Sequence, residues 1–290
     1  MKNIPVRHIN PTQKEPRFSE SFTIRNVRDL LNGKDMVQDH HRHDFFFILA
    51  LKKGMGSHEI DFTSHKVCDN VIFFMRPGQV HQLKLKAGST GYLMEFKRDF
   101  YFPHDKLSKQ LLREVGNRSD CRLEANAFKK LLDTMTAIFL EYTKKRERFE
   151  HAIKANLSIF FIELVRNRQY PRRQSNNVTP YMQERLEKFL ELLETHIAEK
   201  KQVSEYAGML NLSTYQLNAI TKATLDKTCS GLINDHIILE SKRYLLATSN
   251  QVYQLAYQLG YEDVSYFIRF FKKHTGQTPE AFRHSSGKSH

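Results

Sequence analysis

The sequence predicts an α+β chain in two parts: an N-terminal small β-barrel with long helices after it, and a C-terminal all-α domain carrying a tandem helix-turn-helix. Three observations predict it. Short apolar runs separated by turn residues fill residues 45–96. Long stretches with helical apolar spacing follow, between residues 107 and 168. A helix-turn-helix pattern at about 203–222 then recurs at about 252–273.

The chain has 290 residues, room for two domains of ordinary size, and is 40% hydrophobic and 27% charged, a balance that describes a globular protein. The longest apolar run, Phe45 to Leu51, is far too short to span a bilayer, so no membrane association is expected. The N-terminal MKNIPVRHINPTQKEPRF has no apolar core and does not read as a secretory signal. Cys68, Cys121 and Cys229 fit no metal or disulfide spacing, and an intracellular, cytoplasmic, reduced protein is the simplest expectation. The net charge of +13 favours anionic partners. It lies mostly in residues 1–175, with 32 Lys+Arg against 20 Asp+Glu, whereas residues 176–290 hold 13 against 12. Local placement of cations therefore says more than overall charge.

Residues 1 to about 37 carry weak signals. From His40 the reading is β: FFFILAL (45–51), SHEIDF (57–62), VIFFM (71–75), VHQLKL (80–85) and GYLMEF (91–96), broken by GMG (54–56), RPG (76–78) and AGSTG (87–91). Strands this short and close suggest a small barrel or sandwich. After Pro103 the spacing turns helical over 107–115, 123–145 and 147–168. Leu131, Leu132, Met135, Ile138 and Phe139 form one stripe; Ile153, Leu157, Phe160, Phe161 and Leu164 form another. These two helices either cover the barrel, pair with a second copy, or do both. PRRQSNNVTP (171–180) reads as a linker, dividing a domain at 1–175 from one at 176–290.

In the second domain, 181–197 is a helix with a Leu/Phe stripe and 236–249 a helix joining two copies of one motif. Val203, Tyr206, Ala207 and Leu210 match Val252, Leu255, Ala256 and Leu259 at an offset of 49, with Asn211 in the place of Gly260. Leu217, Ile220 and Lys222 match Phe267, Phe270 and Lys272 at an offset of 50, so the second turn holds one extra residue. Ser213 with Gln216 is a capping-box pair, and Asp263 is placed to cap the later helix. In that helix Val264, Phe267, Ile268 and Phe271 make an apolar face, while Ser265, Tyr266, Arg269, Lys272 and Lys273 make a face of hydroxyls and cations. A helix that packs on a partner and also lies in a DNA major groove needs both.

The C-terminal residues, ending GYEDVSYFIRFFKKHTGQTPEAFR, resemble the DNA-binding domain of the AraC/XylS family of transcription regulators over roughly 183–284. Gly260-Tyr261, Asp263, Ser265-Tyr266-Phe267, Arg269, Phe271-Lys272-Lys273, Gly276 and Thr278-Pro279 carry the resemblance. His41-Arg42-His43-Asp44-Phe45 and Pro77-Gly78-Gln79-Val80-His81 resemble, more loosely, that family's cupin-like sensing barrel. The first copy departs from the pattern: Thr221 stands for an aromatic residue, Asp226 for a glycine and Ala219 for an arginine. It either enters the groove with Tyr215, Gln216, Asn218 and Lys222 or mainly supports the second copy.

Arg269 is the leading base-reading candidate, since a guanidinium can make bidentate contact with guanine. Lys272 and Lys273 suit phosphates, and Ser265 and Tyr266 sit at the helix start, where phosphates and base edges come close. His41, His43 and His81 could converge inside the barrel as a nitrogen ligand set. However, Phe45, Phe46 and Phe47 fill the space where metal-binding cupins usually add a carboxylate, so no metal or other cofactor is expected. The three are expected instead as partly exposed polar residues at the barrel mouth, or as contacts to a small-molecule effector. His40, His58 and His65 have no persuasive spacing.

The resemblance implies a homodimeric, effector-responsive or constitutive regulator on double-stranded DNA, activating through RNA polymerase, with no catalytic residue. Two other readings stand beside it. A metal-dependent cupin enzyme would use the three histidines, and a non-specific nucleic-acid binder would use the charge of residues 1–175.

Overall fold

The computed structural model describes residues 5–9, 21–101, 106–116, 118–167 and 178–286. Residues 171–177 of the expected linker, and most of the N-terminal segment read against a secretory signal, lie outside them. The chain divides into two compact units, Ile4–Gln169 and Tyr170–His290.

In the first unit the described elements run β1 (Val6–Arg7), β2 (Phe22–Asn26), α1 (Val27–Leu31), β3 (Met36–His43), β4 (Phe46–Lys53), β5 (Gly56–Ile60), β6 (Thr63–Val67), β7 (Val71–Met75), β8 (Val80–Leu85), β9 (Thr90–Phe96), α2 (Arg98–Tyr101), α3 (Lys106–Gly116), β10 (Asp120–Arg122), α4 (Ala125–Lys144) and α5 (Phe149–Asn167). The strands form two five-stranded sheets, ordered β1-β3-β8-β5-β6 and β10-β7-β4-β9-β2. No ladder among the described residues joins them into a closed barrel, so the β unit is two facing sheets.

The second sheet is buried on both faces. Phe47, Leu49 and Leu51 of β4, with Phe73 and Met75 of β7, pack against Ile60, Leu83 and Leu85 of the first sheet. Phe46, Ile48 and Ala50, with Ile72 and Phe74, pack against α3, α4 and α5. A strand apolar on both sides has no reason to alternate, which is why 45–51 and 71–75 read as unbroken apolar runs. All five residues of the α5 stripe are fully buried, as are Leu131, Met135 and Ile138 of α4. Covering the sheet is therefore what these stripes do. Leu140 and Ile159, on the same two helices, remain exposed.

The second unit is all-α: α6 (Pro180–His196), α7 (Val203–Met209), α8 (Thr214–Leu225), α9 (Cys229–Ala247), α10 (Val252–Gln258), α11 (Val264–Thr275) and α12 (Pro279–Ser286). Helices α7 and α8 form the first helix-turn-helix, α10 and α11 the second, and α9 connects them. The repeat keeps its offsets, 49 between α7 and α10 and 50 between α8 and α11. Helix α9 begins at Cys229, earlier than the apolar spacing places it, because Thr228 caps it and accepts from the Gly231 N–H at 3.1 Å.

Candidate nucleic-acid interface

Helix α11 is built from its cap outward. Asp263 Oδ1 accepts from the backbone N–H groups of Ser265 (2.8 Å) and Tyr266 (3.1 Å). These are two of the donors a helix start leaves unpaired. At the other end Gly276 takes the left-handed conformation and its N–H closes on Lys272 O. Phe267 and Phe271 are fully buried, against Tyr261 and Phe282 respectively. Arg283 of α12 donates from Nε to Leu245 O (2.9 Å) and from Nη2 to Asn250 O (2.7 Å), which fixes the end of α9 and the approach to α10.

With its apolar face held this way, α11 turns Ser265, Tyr266, Arg269, Lys272 and Lys273 to solvent. The Arg269 side chain is 69% exposed and lies 3.8 Å from Asp263 Oδ2. An exposed ion pair of that kind is worth about 0–1 kcal/mol, so the guanidinium is held loosely and is free to exchange the carboxylate for another acceptor.

The first copy has the same frame and a different surface. Ser213 Oγ accepts from Gln216 N–H (3.1 Å), and Gln216 Oε1 accepts from Ser213 N–H (2.8 Å), the expected capping box. Gln216 is thus exposed but already engaged. Asn218 turns inward: its Oδ1 accepts from the Cys229 N–H at 2.9 Å and its Nδ2 donates to Thr214 O at 3.1 Å. It serves the start of α9, whose first N–H groups have no helical partner. Thr221 fills the buried place of Phe271, and its hydroxyl donates to Asn218 O. Asp226 takes the left-handed cap that Gly276 takes in the second copy. Tyr215 (82% exposed), Ala219 and Lys222 are left on the outer face. Of the four expected contacts, then, Tyr215 and Lys222 are open, Gln216 is shared with a cap, and Asn218 is committed to packing.

In the first unit His41, His43 and His81 do come together, but not at a mouth: they are 0%, 4% and 0% exposed, between the sheets. The ladder explains it. His41 faces His81 across the β3–β8 pair, and His43 stacks on Phe47 of the opposite sheet. His58 of β5, passed over on spacing, joins them, with Nε2 at 2.8 Å from His81 Nδ1. Only the cross-strand register brings it there, and that register is not visible along the chain. Burial pushes the imidazoles down, His41 to about 4, His58 to about 3 and His43 to about 2, with His81 also well below its usual range, so all four are neutral at pH 7. An open cleft of about 530 Å³, lined by residues including Arg28, Lys52, Tyr92 and Leu132, contains none of these histidines.

A family model described as a helix-turn-helix domain matches residues 206–285. Over 276 residues the chain is 23% identical to the HTH-type transcriptional activator RhaS of Pectobacterium atrosepticum, covering 93% of this chain and 97% of that one. Over 253 residues it is 22% identical to the HTH-type transcriptional activator RhaR of Mannheimia succiniciproducens, covering 84% and 86%. Among solved structures, fatty-acid-bound ToxT from Vibrio cholerae aligns with 91% of this chain and 95% of its own at 18% identity, with a TM-score of 0.41. No helix among the described residues is long and apolar enough to cross a membrane. With the tandem repeat in place, a helix-turn-helix domain matched over residues 206–285 and HTH-type transcriptional activators similar along most of their length, the chain is a DNA-binding transcription regulator.

Proposed function

We propose that this regulator is an effector-responsive activator that works from the cytoplasm as a homodimer. The observation that carries the DNA-reading part is the outward face of α11, where a loosely paired arginine and two lysines project from a helix whose other face is fully packed. In this reading Arg269, Ser265 and Tyr266 meet base edges, and Lys272 and Lys273 meet phosphates. Helix α8 adds Tyr215, Lys222 and a partly engaged Gln216, with Asn218 held back as a packing group. The two helices of one chain enter successive major-groove segments about 10 bp apart, and a dimer covers two such half-sites. The relatives named as activators support activation. In this reading activation runs through contact between the bound regulator and RNA polymerase. The reading requires no catalytic group.

The domain boundary at 175/176 belongs to the same proposal, supported by the division of the chain into two compact units. Exposed Leu140 and Ile159 favour placing the dimer contact on α4 and α5. Residues 176–290 produced alone should bind the operator that the full chain selects, more weakly because the dimer contact is gone. A fluorescence-anisotropy titration checks this. A fragment that is folded by circular dichroism yet binds at no concentration would sink the two-domain division.

A further inference from the structure

The space between the two sheets is lined mainly by apolar side chains, with buried Thr23 and Glu95, hydrogen-bonded to each other, on the inner face of the second sheet and the four histidines on the first. There the ring nitrogens are arranged unevenly. His41 Nδ1 is satisfied by Asp39 O at 2.7 Å, while its Nε2 is buried with no partner. His81 Nδ1 is satisfied by His58 Nε2 at 2.8 Å, which leaves its Nε2 to share a hydrogen bond of 2.7 Å with His43 Nε2. His43 Nδ1 and His58 Nδ1 are likewise buried without partners. A buried polar atom left unpaired costs about 1–3 kcal/mol, and three such atoms in one cluster need an explanation.

One nitrogen from each of His41, His43 and His81 lies within 4.8 Å of the other two. On His41 and His81 the outer nitrogen is tied to a carbonyl or to a second imidazole, and the inner one is unpaired on His41 and hydrogen-bonded to His43 Nε2 on His81. Ligating histidines are held in this way, the outer hydrogen bond fixing tautomer and ring orientation. Neutral imidazole is also the form that ligates. Of the arginines that act on the cluster, Arg7 has Glu95 and Asp39 beside it and Arg25 is paired with Glu95 Oε2 at 2.7 Å, which offsets their charge. The rings pack on one another, with centroids 4.2 Å apart for His41–His81 and 4.8 Å for His43–His81, and on Phe45, Phe47 and Phe73. At a metal–nitrogen distance of about 2.0–2.1 Å, an ion replaces the His43–His81 hydrogen bond and draws the three nitrogens around itself by shifts of several tenths of an ångström, a smaller change than an organic effector would need.

We propose that His41, His43 and His81 bind one divalent first-row transition-metal ion, with His58 positioning His81. Three neutral nitrogen donors without a carboxylate suit Zn²⁺, Co²⁺, Ni²⁺ or Cu²⁺ rather than Mg²⁺ or Ca²⁺, and three ligands leave a further position open.

The test is titration of the chelator-treated full chain with Co²⁺, read by visible d–d absorption. The intense bands of nitrogen-ligated, low-coordinate Co²⁺ should saturate at one equivalent and be displaced by Zn²⁺. His41→Gln and His81→Gln should each abolish the bands, and His58→Gln should weaken Co²⁺ binding about 10–100-fold. His40→Gln, which alters a histidine paired with Glu59 outside the ligand set, should leave them unchanged. Circular dichroism confirms folding, and if His81→Gln does not fold, His41→Gln decides. Absent bands, or bands that persist in folded His41→Gln, would overturn the proposal.

Discussion

Gly260→Ala should destabilise the DNA-binding unit by on the order of 3–5 kcal/mol, a large part of the stability of an ordinary domain. Two costs combine. Gly260 holds φ at +72°, where an alanine is penalised by about 1 kcal/mol. The larger cost is steric: a Cβ there would lie 1.6 Å from Ala198 O, so the turn and the segment after α6 would have to separate. Lys201 clamps the same place, with Nζ donating to Ala198 O at 3.1 Å and to Gly260 O at 3.0 Å while lying 5.0 Å over the Tyr261 ring. Asn211, the counterpart in the first turn, also has positive φ (+54°), a conformation that asparagine tolerates. Urea denaturation followed by circular dichroism measures the effect. A loss of about 1 kcal/mol or less would mean that backbone strain acts alone and that the close approach to Ala198 is not maintained.

Arg269→Ala should weaken binding to the selected operator by about 1–3 kcal/mol, roughly 5–150-fold, and change binding to a shuffled duplex far less. The argument rests on what the guanidinium gives up. Its contact with Asp263 is long and solvent-screened, so little is lost when it leaves for DNA. A guanine edge offers it two acceptors in a fixed geometry. Lys272→Ala is the contrast: it should weaken both duplexes alike and reduce the salt slope by about one. Paired titrations at one salt concentration check both. Equal losses on the two duplexes for Arg269→Ala would make it a phosphate contact and remove the base-reading role.

Much of this was legible along the chain because the C-terminal unit is held by local chemistry. The Asp263 and Ser213 caps, the turns at Gly260 and Asn211 and the apolar stripes all act within a few residues of one another, and pattern reading finds such features. Asn218 was harder. Its place on the helix suits a groove contact, yet its partner is the Cys229 N–H across the next turn. In the β unit, β4 and β7 were plain because both faces are buried, whereas β3 and β6 were not. β6 lies at the edge of its sheet and exposes most of its side chains, so Thr63–Val67 carries no apolar alternation. β3 turns His41 and His43 inward where alternation would place aliphatic residues. The site that broke the pattern was thus also the site that hid the strand, as expected where function departs from patterning. His58 needed the β5–β8 register before it could be placed beside His81.

The most direct test of the central claim, sequence reading by the tandem helix-turn-helix, is selection of bound duplexes from a random pool by the full chain. The enriched sequences should contain paired segments about 10 bp apart and bind at least ~10³-fold more tightly than shuffled duplexes at the same salt concentration. A pool that gains no common sequence, with affinity falling equally steeply with salt on every duplex, would contradict it and leave only charge-driven, non-specific binding.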